Sequence, residues 1–434
     1  MAIAKRGLVL GATALAVAAV TVTGAGIQLS QGQAFFEESP KELVDEVWQL
    51  IERHYVDATF NQVDWEAVRQ EYLQRSYSDR EDAYTAIREM LDRLEDPYTR
   101  FMDPQEFRNM QIDTSGELTG VGIQISQDEE TEEIVVVSPI EDTPAFEAGV
   151  RSQDVITAID GHSTAGMDLN EAVSLIRGPV GSEVTLTIRR ENRSIDYTIV
   201  RDRIEIHPVR YAYKEGPEGP IGYIRLTQFS ANAAEEMEEA IAALEERDVT
   251  GYILDLRSNP GGLLFSSIDI ARMWLEDGTI VSTVNRQGII DEEAANGKAL
   301  TTRPLVVLVD GGSASASEIL AGALQDNERA VLVGTRTFGK GLVQSVRSLD
   351  DGSGVAVTVA KYLTPDGRDI NKAGITPDVM VELSESEREA LSENREAIGT
   401  EADPQYIQAL DILAQEIRAA RETHELDVGA VPSR

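Results

Sequence analysis

The chain is 434 residues long and 42% hydrophobic, enough to bury cores in two or three globular units. Its 39 Lys and Arg stand against 76 Asp and Glu, and the net charge of −37 would be repelled by phosphate backbones and anionic lipid, which disfavours nucleic-acid binding. There is no cysteine, which removes disulfides, thiolate metal sites and thiol catalysis. His54, His162, His207 and His424 are scattered without metal-ligand spacing.

Lys5 and Arg6 precede an uncharged run from Gly7 to Gln33 rich in Ala, Val, Leu and Thr, the pattern of an export signal. Gly32-Gln-Ala34 offers a small-residue cleavage site, while the length of the apolar run also suits an uncleaved membrane anchor. Residues 1–34 are assigned to this segment, and the folded part is expected across a membrane. From 35 to 104 apolar residues recur at helical spacing (Leu43, Val47, Leu50, Ile51; Ala83, Ile87, Leu91, Leu94), predicting a small helical segment.

Residues 105–203 change to a period of two from about Gly116. Val121–Ile125, Ile134–Val137, Val155–Ile159 and Val184–Ile188 read as strands, interrupted by short helices at Pro144–Ala148 and from Asp168 to Ile176. This block resembles a PDZ domain of the bacterial, circularly permuted type. The resemblance puts Gly120-Val121-Gly122-Ile123 at the loop whose amides capture a peptide's terminal carboxylate, with Arg177 as a candidate to assist. A lone Gly-x-Gly is most often a plain turn; here the order of strands and helices carries the reading.

Residues 204–385 alternate strand and helix. Strand Ile221–Leu226 precedes a helix from Ala233 to Arg247. Strand Gly251–Leu256 ends in Arg257-Ser-Asn-Pro-Gly-Gly262 before a helix from Leu263 to Leu275, and strand Leu305–Val309 enters Asp310-Gly-Gly-Ser-Ala-Ser-Ala-Ser-Glu318. The near-continuous apolar strands predict a sheet buried on both faces. Residues 386–434 are expected to form an acidic linker, loop-like to Asp403, and then a helix from Gln405 to Arg421.

The chemistry gathers around Ser315 and Lys340, which lie in two glycine-flanked turns linked by a helix, a turn and a strand. A serine hydroxyl needs a base, and lysine serves as one when its amine is neutral. Phe338, Leu342 and Val343 give Lys340 apolar neighbours that lower its pKa by desolvation, and Gln344 can orient the amine without adding charge. No histidine is near Ser315 in sequence, although a triad histidine can be distant in the chain. At a helix start, the Ala316 amide points toward a developing oxyanion, and the Gly261-Gly262 turn can supply a second donor. Taken alone, Ser315-Ala-Ser-Glu318 is a helix cap and Lys340 a loop lysine; their coincidence in successive connections of one sheet argues for a site.

The Ser-Ala-Ser-Ala-Ser-Glu and Phe-Gly-Lys-Gly-x-x-Gln motifs resemble those of the carboxyl-terminal processing peptidases, or tail-specific proteases, and the likeness runs from about Pro40 to Glu385. The resemblance implies an α/β catalytic core like crotonase and Clp protease, with an inserted PDZ domain and an N-terminal helical segment. It implies Ser315 as nucleophile, Lys340 as general base, Gln344 as its partner, Ala316 with Gly261 or Gly262 at the oxyanion, protein substrates with free C-termini, and no metal or cofactor. Asp310 departs from the asparagine of many relatives. Asn61–Trp65 and Thr114–Gly120 are nearest the cyanobacterial and plastid branch, where a thylakoid-lumen member trims a photosystem II subunit precursor; a periplasmic setting is the alternative. A silent peptide-binding scaffold and a small-molecule acyl-transfer enzyme on the same core are rivals. The joint presence of Ser315, Lys340 and Gln344 argues against the first, and the PDZ-like block against the second.

Overall fold

The computed structural model describes residues 39–115, 117–128, 131–140, 143–191 and 193–429, so the export-signal reading of 1–34 lies outside the described residues. A six-stranded sheet runs in the order Val209–Gly216, Gly219–Leu226, Gly251–Asp255, Leu305–Val309, Val331–Gly334, Val379–Met380; its first pair is antiparallel and the rest parallel. Every residue of Gly251–Asp255 and Leu305–Val309 is buried. Side chains alternate along the pleat: Tyr252, Leu254, Val307 and Val309 join the core under helices Ala233–Glu245, Leu264–Trp274 and Ala316–Asp326. Ile253, Val306 and Leu308 meet Tyr406, Ala409, Leu413 and Ile417 of the C-terminal helix Pro404–Gly429 on the other face.

Asp403 locks that last helix in place. It accepts from the Tyr406 N–H at 3.2 Å and takes the Arg257 guanidinium at 2.7 and 3.0 Å, while Asp255 takes the same guanidinium from the sheet side at 2.6 and 2.9 Å. Burial alone would raise the Asp255 pKa; the Arg257 charge, the hydrogen bonds from Arg257 and Tyr223 and the Arg225 charge together outweigh it and hold the carboxyl below its usual range.

A five-stranded antiparallel sheet brings the N-terminal segment against the core. Arg100–Met102 pairs with Gly354–Leu363, which also pairs with Leu342–Ser348 and Thr279–Asn285, the latter pairing with Gly288–Ala294. Helices Pro40–His54, Trp65–Gln74 and Arg80–Asp92 bury Val47, Ile51, Tyr72 and Ile87, with Leu94 just beyond the last of them, against Val355 and Val357 of that sheet.

The block expected to be PDZ-like has its own sheet, Ile123–Gln127, Ile134–Pro139, Val155–Ile159, Glu183–Arg190, Arg193–Val200, and its own core around Ile134, Ile156, Leu186 and Ile188. Its entry and exit strands, Glu117–Gly120 and Asp202–Glu205, pair with each other. Paired ends let a module be inserted without spreading the host.

Two readings are corrected. The stretch expected as loop between Glu382 and Asp403 contains helix Glu385–Glu393, because Ser384 and Glu387 cap each other: Ser384 N–H donates to Glu387 Oε2 at 2.7 Å and Glu387 N–H to Ser384 Oγ at 3.3 Å. Strand Val121–Ile125 instead starts at Ile123, since Gly122 takes φ +79° and the residues before Val121 pair with Asp202–Glu205. Helix Pro104–Ser115, outside the sequence reading, begins with proline at its first position, and Asp103 Oδ1 accepts the Gln105 and Glu106 N–H groups at 2.9 Å.

Candidate active site

Strand Leu305–Val309 delivers the chain into a turn ending at Ser315, whose φ of +55° and ψ of −112° are costly for a residue with a Cβ, about 1–3 kcal/mol. The turn is over-determined. Asn259, fully buried, accepts on its carbonyl the Ala314 N–H at 3.0 Å and the Ser317 hydroxyl at 2.9 Å. Asp310, the departure from asparagine noted above, receives Ser258 N–H and Gly312 N–H on Oδ1 at 2.8 and 2.9 Å, contacts an amide side chain could also accept with its oxygen.

Glu318 has no solvent exposure and joins the two chemical turns. Its Oε2 accepts the Ser315 and Lys340 N–H groups, both at 2.9 Å; its Oε1 accepts the Gly339 N–H at 2.8 Å and the Thr337 hydroxyl at 2.5 Å. Ser315 and Glu318 are thus set as a capping box whose firm hydrogen bond is the one from the Ser315 N–H to Glu318, and the Ser315 hydroxyl makes no side-chain cap hydrogen bond of its own. Tyr362 adds a second bridge, its hydroxyl lying 2.6 Å from Lys340 O and 3.1 Å from Ser315 O. Gly339 has φ +91°, and a Cβ there would sit 2.9 Å from the Gly374 nitrogen, so the approach requires glycine.

Ser315, Ala316, Gly262, Lys340 and Gln344 all line one cavity of about 680 Å³, with Leu263, Phe265, Ile319 and Leu342 as apolar wall. His54, His162 and His207 do not line it. Burial first, and then the Arg100 charge, push the Lys340 amine below the ordinary lysine value, against the opposing pull of Glu318. The Nζ lies 5.0 Å from the centre of the Tyr98 ring. Gln344 Nε2 is buried without a hydrogen-bond partner and so makes no bond to Lys340 here.

The two glycines separate in role. Gly261 N–H donates to Asn259 Oδ1 at 2.9 Å, and a Cβ on it would reach 2.6 Å from Ala314 O, so it serves close packing. Gly262 N–H and the Ala316 N–H at the first helical position have no acceptor among the described residues, and both residues line the cavity. Helix Pro104–Ser115, missed from the sequence, supplies Phe107, Met110, Gln111 and Thr114 to the same cavity.

Gly120, Val121, Gly122, Ile123 and Arg177 meet around a separate cavity of about 150 Å³ with Ile125, Val173 and Ile176. The Val121 and Gly122 N–H groups have no partner among the described residues, and a Cβ at Gly122 would fall 2.3 Å from Thr143. Arg177 donates to Asn109 Oδ1 at 3.1 Å, touching the helix that lines the larger cavity.

Peptidase family S41 matches residues 220–381, a PDZ domain residues 135–190, and the tricorn protease C1 domain residues 36–92. Together they define a serine peptidase with a peptide-binding module. A carboxyl-terminal-processing protease of Synechocystis sp. is 48% identical over 91% of both chains, and carboxyl-terminal-processing peptidase 3, chloroplastic, of Arabidopsis thaliana is 43% identical over 77% of this chain and 67% of its own. The solved photosystem II D1 C-terminal processing protease is 38% identical with a TM-score of 0.57, covering 85% of this chain and 99% of that one. The chain belongs to the carboxyl-terminal processing serine peptidases. These relatives are cyanobacterial and chloroplastic.

Glu318→Ala strands four donors in the interior and is expected to cost on the order of 3–5 kcal/mol in urea unfolding and about 100-fold or more in peptide hydrolysis. Glu318→Gln, keeping one acceptor oxygen, should fall between. Unchanged stability in both variants would contradict the bridging role.

Proposed function

We propose that Ser315 is the nucleophile and Lys340 the general base of a peptidase that trims protein C-termini, the reading supported above all by their sharing one cavity under a single buried carboxylate. Ser315 Oγ attacks the scissile carbonyl as its proton passes to neutral Lys340 Nζ. The developing oxyanion is held by the Ala316 and Gly262 N–H groups. The proton then goes to the leaving amine, and Lys340 deprotonates the water that hydrolyses the acyl-enzyme ester. The Gln344 side-chain oxygen accepts from the lysine nitrogen in both of its charge states and so steadies it through these changes, and Gly261 holds the donor turn. No metal or cofactor enters this scheme.

Ser315→Ala and Lys340→Ala should each lower the rate by about 10⁴-fold or more with unfolding unchanged. Lys340→Arg should be as inactive, because guanidinium stays protonated. Substantial hydrolysis by any of the three would remove the dyad.

The loop Gly120–Ile123 then binds the substrate's terminal carboxylate through free backbone N–H groups, with Arg177 beside it and Ile125, Val173 and Ile176 receiving the last side chain. The substrates are exported proteins with free C-termini, in a thylakoid lumen or periplasm, and the precursor of the D1 protein for which the solved relative is named is the first candidate. The apolar run Gly7–Gln33 supports export and, if retained, tethering; no helix among the described residues is long and apolar enough to cross a membrane. A charge-assisted hydrogen bond contributes about 1.5–3 kcal/mol, so amidating an unstructured substrate's C-terminus should raise KM roughly ten- to hundredfold. Gly122→Pro should raise KM for the free terminus and abolish that difference. Equal rates in all four combinations would leave a peptidase that does not read chain ends.

A further inference from the structure

Behind the dyad lies a second cavity of about 330 Å³, which shares Met110, Lys340, Gln344 and Val346 with the catalytic one and adds Tyr98 and Arg100. Arg100 begins the strand that pairs with Gly354–Leu363, its partner there being Ala356, so the sheet fixes where its side chain starts. Its guanidinium makes no ion pair among the described residues, although the chain carries 76 acidic side chains. The nearby acids are committed elsewhere. Asp103 and Glu106 reach Arg88 at 3.3 and 2.9 Å, and Asp96 accepts from the Tyr98 N–H and the Thr99 hydroxyl at 3.0 and 2.7 Å.

We propose that Arg100 is a positioning residue for proton transfer: its guanidinium, in no ion pair and lining both the cavity it shares with Lys340 and a neighbouring one with Asp103 and Glu106, disfavours the ammonium form and keeps the amine ready to take the Ser315 proton. Other groups facing Lys340 act in the opposite sense or not at all. Glu318, bonded to the Lys340 N–H at 2.9 Å, and the Tyr98 ring, 5.0 Å from Nζ, both favour a cation. Tyr362 touches the Lys340 carbonyl through a neutral phenol, its pKa pushed up by burial, and Gln344 is uncharged. Burial opposes charge on the amine too, and Arg100 is the positive group that adds to it. The inference rests on Lys340 being the base.

The test is kcat/KM against pH for full-length wild type and Arg100→Gln, Arg100→Glu and Arg100→Lys on one unstructured protein substrate. Removing a positive charge raises the pKa of the amine, so the acid limb moves to higher pH. On that limb Arg100→Gln should be about 3- to 10-fold slower than wild type, Arg100→Glu slower still, and Arg100→Lys equal to wild type, with one shared plateau at high pH. Arg100 is exposed, so the gap should narrow at 1 M salt, where the screening length is about 3 Å rather than about 10 Å at 0.1 M. Superimposed profiles would overturn the proposal, and so would an equal loss at every pH, which marks folding or substrate contact. Lys340→Ala separates the two levels: if it is inactive while the Arg100 profiles superimpose, only the role of Arg100 falls; if it is active, the base assignment falls with it.

Discussion

One buried carboxylate carries the arrangement. Glu318 sits in the first turn of the helix that follows Ser315 and spends all its acceptor capacity on the turns of Ser315 and Lys340. A carboxylate without solvent is tolerable when several donors surround it, and it is then hard to displace, because each donor would be left unpaired. The Ser315 backbone is held in a strained conformation and the Lys340 loop is held beside it by the same two oxygens. The cost of that strain is met by the network and not by the hydroxyl, which stays available.

Around this joint the protein separates its charges. In a chain of net charge −37, the ionic group Asp255–Arg257–Asp403 is sealed between the sheet and the C-terminal helix, at the start of the segment that runs on to Asn259 and Gly262. The cleft itself offers Lys340 apolar walls and a neutral amide, and the adjoining cavity adds the Arg100 guanidinium. A lysine in such a setting is driven toward its neutral form, the form that the proposed base role requires.

Much of this could be read in the sequence because it is written locally. Apolar strands announced the buried sheet, the two glycine-flanked turns announced Ser315 and Lys340, and Gly120–Ile123 announced the loop at the smaller cavity. What escaped was written across the chain. Ser315-Ala-Ser-Glu318 read as a cap, and Glu318 does accept the Ser315 N–H, but nothing local says that the same carboxylate also reaches Gly339 and Lys340. Arg100 and Tyr98 come to the site only because strand Arg100–Met102 pairs with residues more than two hundred positions later. Helix Pro104–Ser115 was hidden by weak amphipathicity, although Asp103-Pro-x-Glu106 is a start signal that could have revealed it. Gly261 and Gly262 could not be told apart in the sequence, because nothing local says that the Asn259 side chain takes the N–H of Gly261.

The central claim is that Lys340 is held neutral as the partner of Ser315. It is tested most directly by following the Lys340 Cε resonance in uniformly lysine-labelled protein, assigned by its loss in Lys340→Arg, across a titration from neutral to strongly alkaline pH. The account predicts a midpoint well below the value of about 10.4 for free lysine. A midpoint at or above that value would mean an ammonium at working pH, and the hydroxyl of Ser315 would need another base.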